Sequence, residues 1–178
     1  MRCLEYIGSV SVPTWLEMLT QAAKEKETPR GSFGVTSLSQ ITTYSRFSEH
    51  LERIFCDLTP KERKRCSAVS IIQSEILELH YDSGIGTGYL LMLEVPEGAE
   101  LIQNGPSIYP KVGDVIQITY RFLHGLNMKQ PHDRLIFAAL DFGKSDPGSM
   151  DRWKARVTKF NSLANNHENA LIPLKASD

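Results

Sequence analysis

The chain is poor in the features that announce a function. It has only three cysteines, Cys3, Cys56 and Cys66, and no paired spacing among them. An odd, unpatterned set excludes a disulfide framework and fits free thiols in a reducing cytosol. Net charge is −1, so there is no global pull toward nucleic acid or an anionic membrane. No apolar run approaches the length needed to span a bilayer, and Met1–Ile7 contains Glu5 and no apolar core, so neither a membrane span nor a signal peptide is expected. There is no internal repeat, no low-complexity segment and no complete Walker-type phosphate loop, since Ala138 stands where the glycine ahead of Gly143-Lys144-Ser145 would be needed. The five histidines, His50, His80, His124, His132 and His167, show no ligand spacing on a helix and no cysteine pair joins them, so no metal is expected.

What is present is a set of apolar runs fenced by Gly, Pro and Asn. Tyr89–Val95, Asp114–Phe122 and Arg134–Phe142 read as strands of a β-sheet core, and Arg2–Val12 as a first strand. Ser32–Ser39 reads as a short strand that ends in a loop. Trp15, Leu16, Leu19 and Ala23 predict an amphipathic helix over Thr14–Lys26, and Phe47, Leu51 and Ile54 predict another over Tyr44–Phe55. Thr59, Pro60 and Glu62 make a helix start in capping-box register, and Val69, Ile72, Ile76 and Leu79 carry a helical period from there; a continuous strand within Ala68–Leu79 is the alternative, but Glu75 and Glu78 fit an exposed helical face better. The glycines Gly84, Gly86 and Gly88 precede a strand instead of following one, which makes them a turn and not a dinucleotide loop. A last helix is expected over Met150–Ala164, with Trp153, Val157 and Phe160 on one side. Helices crowd the first half and strands the second. The expected class is therefore α+β: helices packed on a mainly antiparallel sheet, plus a C-terminal helix. At 178 residues a single domain is expected, with residues 1–143 as its core and 144–178 as the helix and tail.

The order of short motifs along these elements resembles the mono-ADP-ribosyltransferases of the arginine–serine–glutamate type, the toxin and phage branch. Arg2 stands on the first strand, Ser37-Leu38-Ser39 on the second, and a helix leading to Phe47 follows. Leu90–Ala99, Tyr120–Phe122 and Ile136–Phe142 resemble the family's later strands, so the likeness covers roughly Arg2 to Phe142. Asp114, in Val112-Gly113-Asp114-Val115, stands where that family carries its catalytic glutamate. The resemblance implies NAD as cofactor and transfer of ADP-ribose to a macromolecular target. Asp114 would stabilise charge developing on the ribose, Ser37 would order the site, Arg2 and Ser39 would contact the dinucleotide, and Tyr44 or Phe47 would stack on nicotinamide. It also implies a cytoplasmic toxin or effector.

Two other readings stand beside this one. The first is a non-enzymatic α+β interaction module, such as a viral matrix-type protein, which would meet a protein partner through Trp153 and Phe160 of the last helix. The second is an FK506-binding-type prolyl isomerase, resembled by Tyr109–Tyr120 alone.

Overall fold

A computed structural model of the chain describes residues 3–10, 12, 21, 38–42, 66–82, 86–142, 151, 154, 155, 157 and 158. Nine strands run through them: β1 (Leu4–Ser9), β2 (Leu38–Thr42), β3 (Cys66–Ser74), β4 (Leu77–His80), β5 (Thr87–Glu94), β6 (Glu100–Gln103), β7 (Asp114–Thr119), β8 (His124–Asn127) and β9 (Leu135–Phe142). They form a six-stranded sheet in the order β1-β7-β5-β9-β3-β2 and a three-stranded sheet in the order β4-β8-β6. Every pairing is antiparallel. An isolated bridge between Leu101 and Ile108 extends the smaller sheet. From β3 to β9 successive strands pass back and forth between the two sheets, the arrangement of a jelly roll.

One face of the large sheet meets the small one. Leu90, Met92, Ile116 and Leu135 from the first pack with Leu101 and Leu126 from the second, all buried in a single apolar cluster. The opposite face of the large sheet is buried as well, at Tyr89, Leu91, Val115, Ile136 and Ala138. That two-sided burial explains why β5 reads as an unbroken apolar run and not as an alternation: Thr87–Leu93 are all buried. Val157, in helical conformation, packs against β1 at Gly8, where an added Cβ would lie 2.7 Å from Val157 Cγ1. A side chain at position 8 would occupy the place Val157 takes.

The α+β expectation is corrected. The architecture is two facing antiparallel sheets, and the helix predicted to run from Lys61 to Leu79 is replaced from Cys66 onward by β3 and β4. Cys66-Ser-Ala-Val-Ser-Ile-Ile-Gln-Ser is rich in β-branched and small residues, and it pairs on one side with β9 and on the other with β2. Those ladders decide the conformation of a segment whose apolar spacing fits either period. The helices predicted over Thr14–Lys26 and Tyr44–Phe55 lie outside the described residues, apart from Gln21, which is helical. Between 151 and 158 the five described residues are helical; Trp153 and Phe160 lie outside them. Among the described residues no helix is long and apolar enough to cross a membrane.

Candidate metal centre

His80 closes β4, Asp82 follows two residues on, and His124 opens β8. In an extended chain residues i and i+2 project to the same side, so His80-Tyr81-Asp82 delivers an imidazole and a carboxylate together. The ladder between β4 and β8 then supplies the third group, because His80 is paired with His124. The pairing is irregular. From Leu77 to His80 is three steps, whereas the partner run from Leu126 to His124 is two, so β4 carries one extra residue. A bulge of this kind bends its strand and re-aims the side chain beyond it. Gly125 makes room for the bend: a Cβ there would sit 2.8 Å from the Leu77 carbonyl oxygen.

One atom from each of the three side chains lies within 4.8 Å of the other two. His124 Nε2 is 3.3 Å from Asp82 Oδ2, His80 Nε2 is 3.6 Å from Asp82 Oδ1, and the two ring centroids are 4.6 Å apart. The rings are oriented from behind. His80 Nδ1 is 2.8 Å from the Glu78 carbonyl oxygen and His124 Nδ1 is 2.9 Å from that of Phe122. A carbonyl oxygen only accepts, so each Nδ1 carries the proton and each Nε2 faces the shared centre. Such backing is how metal-ligating histidines are usually held. The Asp82 backbone N–H donates to the Tyr120 carbonyl at 3.2 Å, which ties the carboxylate's own segment to the turn before His124.

The cluster favours positive charge. Burial of the His124 ring opposes protonation. Hydrogen bonds with Asp82, Cys3 and the Phe122 carbonyl, together with the charge of Asp82, outweigh that opposition and push the group up to about 10. A proton thus sits where a cation is stabilised by two nitrogens and a carboxylate. The centre is lopsided in access: the His124 side chain is 10% exposed, while His80 and Asp82 are 36% and 39% exposed. One side is closed by protein and the other faces solvent.

Of the residues singled out by the ADP-ribosyltransferase resemblance, Asp114 and Ser39 are described, and neither belongs to the triad. Asp114 begins β7, where its carboxylate accepts hydrogen bonds from Ser9 Oγ and from the Lys111 backbone N–H at 2.8 Å, closing the turn into the strand. Ser39 lies on β2 at the opposite edge of the large sheet, with β5, β9 and β3 between the two strands, a separation of about 19 Å at ordinary strand spacing. Arg2, Ser37, Tyr44 and Phe47 lie outside the described residues. The residues that do converge, His80, Asp82 and His124, escape a search for helical ligand spacing. The signal that finds them is the i, i+2 alternation of a strand.

No family model matches this sequence, and no curated protein matches it. Solved structures do match. HygX from Streptomyces hygroscopicus with nickel and 2-oxoglutarate bound is 12% identical with a TM-score of 0.54, over 80% of this chain and 83% of its own. SnoN, a non-heme alpha-ketoglutarate-dependent epimerase from nogalamycin biosynthesis, is 11% identical with a TM-score of 0.54, over 80% of this chain and 79% of its own. A prolyl-4-hydroxylase from Pseudomonas putida is 7% identical with a TM-score of 0.56, over 81% of this chain and 94% of its own. At these identities the likeness is one of fold. Together with the jelly-roll topology it overturns the ADP-ribosyltransferase reading, with its toxin or phage context and its NAD. The expectation of no metal is corrected by the triad, whose three ligand atoms lie close enough together to hold an ion. The prolyl isomerase and matrix-type readings find no support among these neighbours either, and Asp114–Thr119 is an inner strand of the large sheet.

Proposed function

We propose that this chain is a mononuclear metal-dependent oxygenase or epimerase that uses a 2-oxo acid, 2-oxoglutarate first among them. The observation that carries the reading is the triad, two histidines and one carboxylate on adjoining strand ends of a jelly roll. Two imidazoles and a carboxylate on one face, with the remaining positions open, form the ligand set that suits non-haem iron(II). Two features of the chain fit an ion there: the inward-facing Nε2 atoms and the carboxylate between them. The fold neighbours named with nickel and with 2-oxoglutarate point the same way.

Iron(II) bound there would supply the redox chemistry. The chain's own residues do the rest. His80, Asp82 and His124 would hold the ion, and the carbonyls of Glu78 and Phe122 fix both rings. His80 and Asp82 are part-exposed, and a chelating 2-oxo acid and substrate would approach from their side. A second carboxylate on that acid needs a cation. Arg121, in the turn just before His124, is exposed, stacks on the Phe122 ring at 5.3 Å and has no acidic partner among the described residues. Arg134 is held by Glu75 at 3.3 Å and by Gln73 at 3.3 Å.

The reading is tested by oxygen uptake with iron(II) and 2-oxoglutarate, added together and separately. Uptake that needs both, and that is lost in Asp82→Ala, is the expected result. A protein that binds neither iron(II) nor nickel(II) would refute the assignment.

A further inference from the structure

The chain's first described residues reach into the metal centre from outside the triad. Cys3 is 3% exposed, and its Sγ lies 3.3 Å from the Thr119 carbonyl oxygen and 3.4 Å from that of Phe122. The Phe122 carbonyl is the same one that accepts from His124 Nδ1. The Cys3 carbonyl in turn accepts the Thr119 N–H at 2.8 Å. Leu4 continues the contact on the other side. Its N–H donates to Gln103 Oε1 at 2.8 Å, and its carbonyl accepts from Gln103 Nε2 at 3.2 Å. Gln103 also donates to the Pro106 carbonyl and pairs with His124 across β6 and β8. The buried Gln103 amide thus gives the edge of β1 the hydrogen bonds a further strand would give. Two residues at the start of β1 therefore grip both the turn that delivers His124 and the strand paired beside it.

We infer that Cys3 is a positioning residue for the metal centre: its thiol holds the Phe122 carbonyl in place, and through it the direction of His124 Nε2. The inference rests on the metal reading of the triad. A small buried cysteine is ordinarily an apolar filler, and the competing account is that Cys3 only fills space between β1 and the turn. The two accounts differ in what the side chain must provide. A filler needs volume. A positioning group needs a donor, and a thiol has one proton to direct at the two carbonyls.

Cys3→Val keeps the bulk and removes the donor, while Cys3→Ser keeps the donor and loses bulk. Nickel(II) affinity measured by calorimetry separates them. Positioning predicts that Cys3→Val weakens binding about tenfold and that Cys3→Ser stays within about threefold of the parent chain. Parent-like affinity in Cys3→Val, or equal weakening in both variants, would overturn it. A second measurement needs no change at position 3. In a chain with Cys56 and Cys66 replaced by alanine, the S–H infrared stretch of Cys3 should sit at hydrogen-bonded frequency in the metal-free protein and shift when nickel(II) is added. A free-thiol frequency that ignores the metal would overturn the inference even if Cys3→Val failed to fold. If the parent chain bound no nickel(II) while the stretch was hydrogen-bonded, the metal reading would be the part that failed, and the positioning role would fall with it.

Discussion

Asp82 stands between two imidazoles and supplies the negative charge that lets both sit there. Without it the centre would keep two imidazoles and lose its anion. Asp82→Ala is expected to abolish measurable iron(II) or nickel(II) binding, while Asp133→Ala, a carboxylate away from the triad, should leave it unchanged; calorimetric titration checks both. The raised proton affinity of His124 gives two pH dependences of opposite sense. The folded value, about 10, lies above the ordinary 6.5, so in the metal-free protein the protonated ring contributes stability that is fully present below pH 6.5 and lost as pH rises toward about 10. Thermal melting of the metal-free chain should fall across that window, and His124→Gln should flatten the fall. Metal must displace the same proton, so apparent affinity should rise by up to about tenfold per pH unit near neutrality. A metal affinity that ignored pH would contradict the assignment of His124.

Elements show where the sequence was readable. Tyr89–Val95, the inner part of Asp114–Phe122 and Arg134–Phe142 were legible as strands because β-rich apolar runs fenced by turn residues admit little else. Cys66–His80 was not, because Val69, Ile72, Ile76 and Leu79 satisfy a helical period while the pairing that decides the matter comes from β9 and β2, distant in sequence. Of the site, His80 and Asp82 lie just past the segment with helical spacing, and an i, i+2 pair faces one way only where the chain is extended. His124 lies 42 positions beyond Asp82, and nothing local marks its register with His80. The bulge in β4 makes its own prediction. Gly125→Ala would push a methyl group against the Leu77 carbonyl, so it should spread β4 from β8 and weaken metal binding about tenfold or more, with a loss of stability of about 1–3 kcal/mol. On β1 Gly8→Ala should cost a similar amount of stability by displacing Val157, and Val157→Ala in the same chain should recover part of it; neither change should alter metal affinity.

For the whole molecule, a ligand that binds only the folded chain stabilises it by mass action. Nickel(II) at a hundred times its dissociation constant should add about 2.7 kcal/mol, which for a chain of this size is a rise in melting temperature of about 5–10 °C. Chelator should reverse it, and Asp82→Ala should show neither effect. The small sheet adds a consequence of its own. Among the described strands β4 lies at its margin, four residues long and paired only with β8, yet it bears one histidine and leads directly to the aspartate. Such a margin frays more readily than the centre of a sheet. An ion gripped by His80 and Asp82 on one strand and His124 on the next would therefore act as a rivet through a loose seam, and amide deuterium uptake at 77–82 should slow on loading far more than uptake in β5.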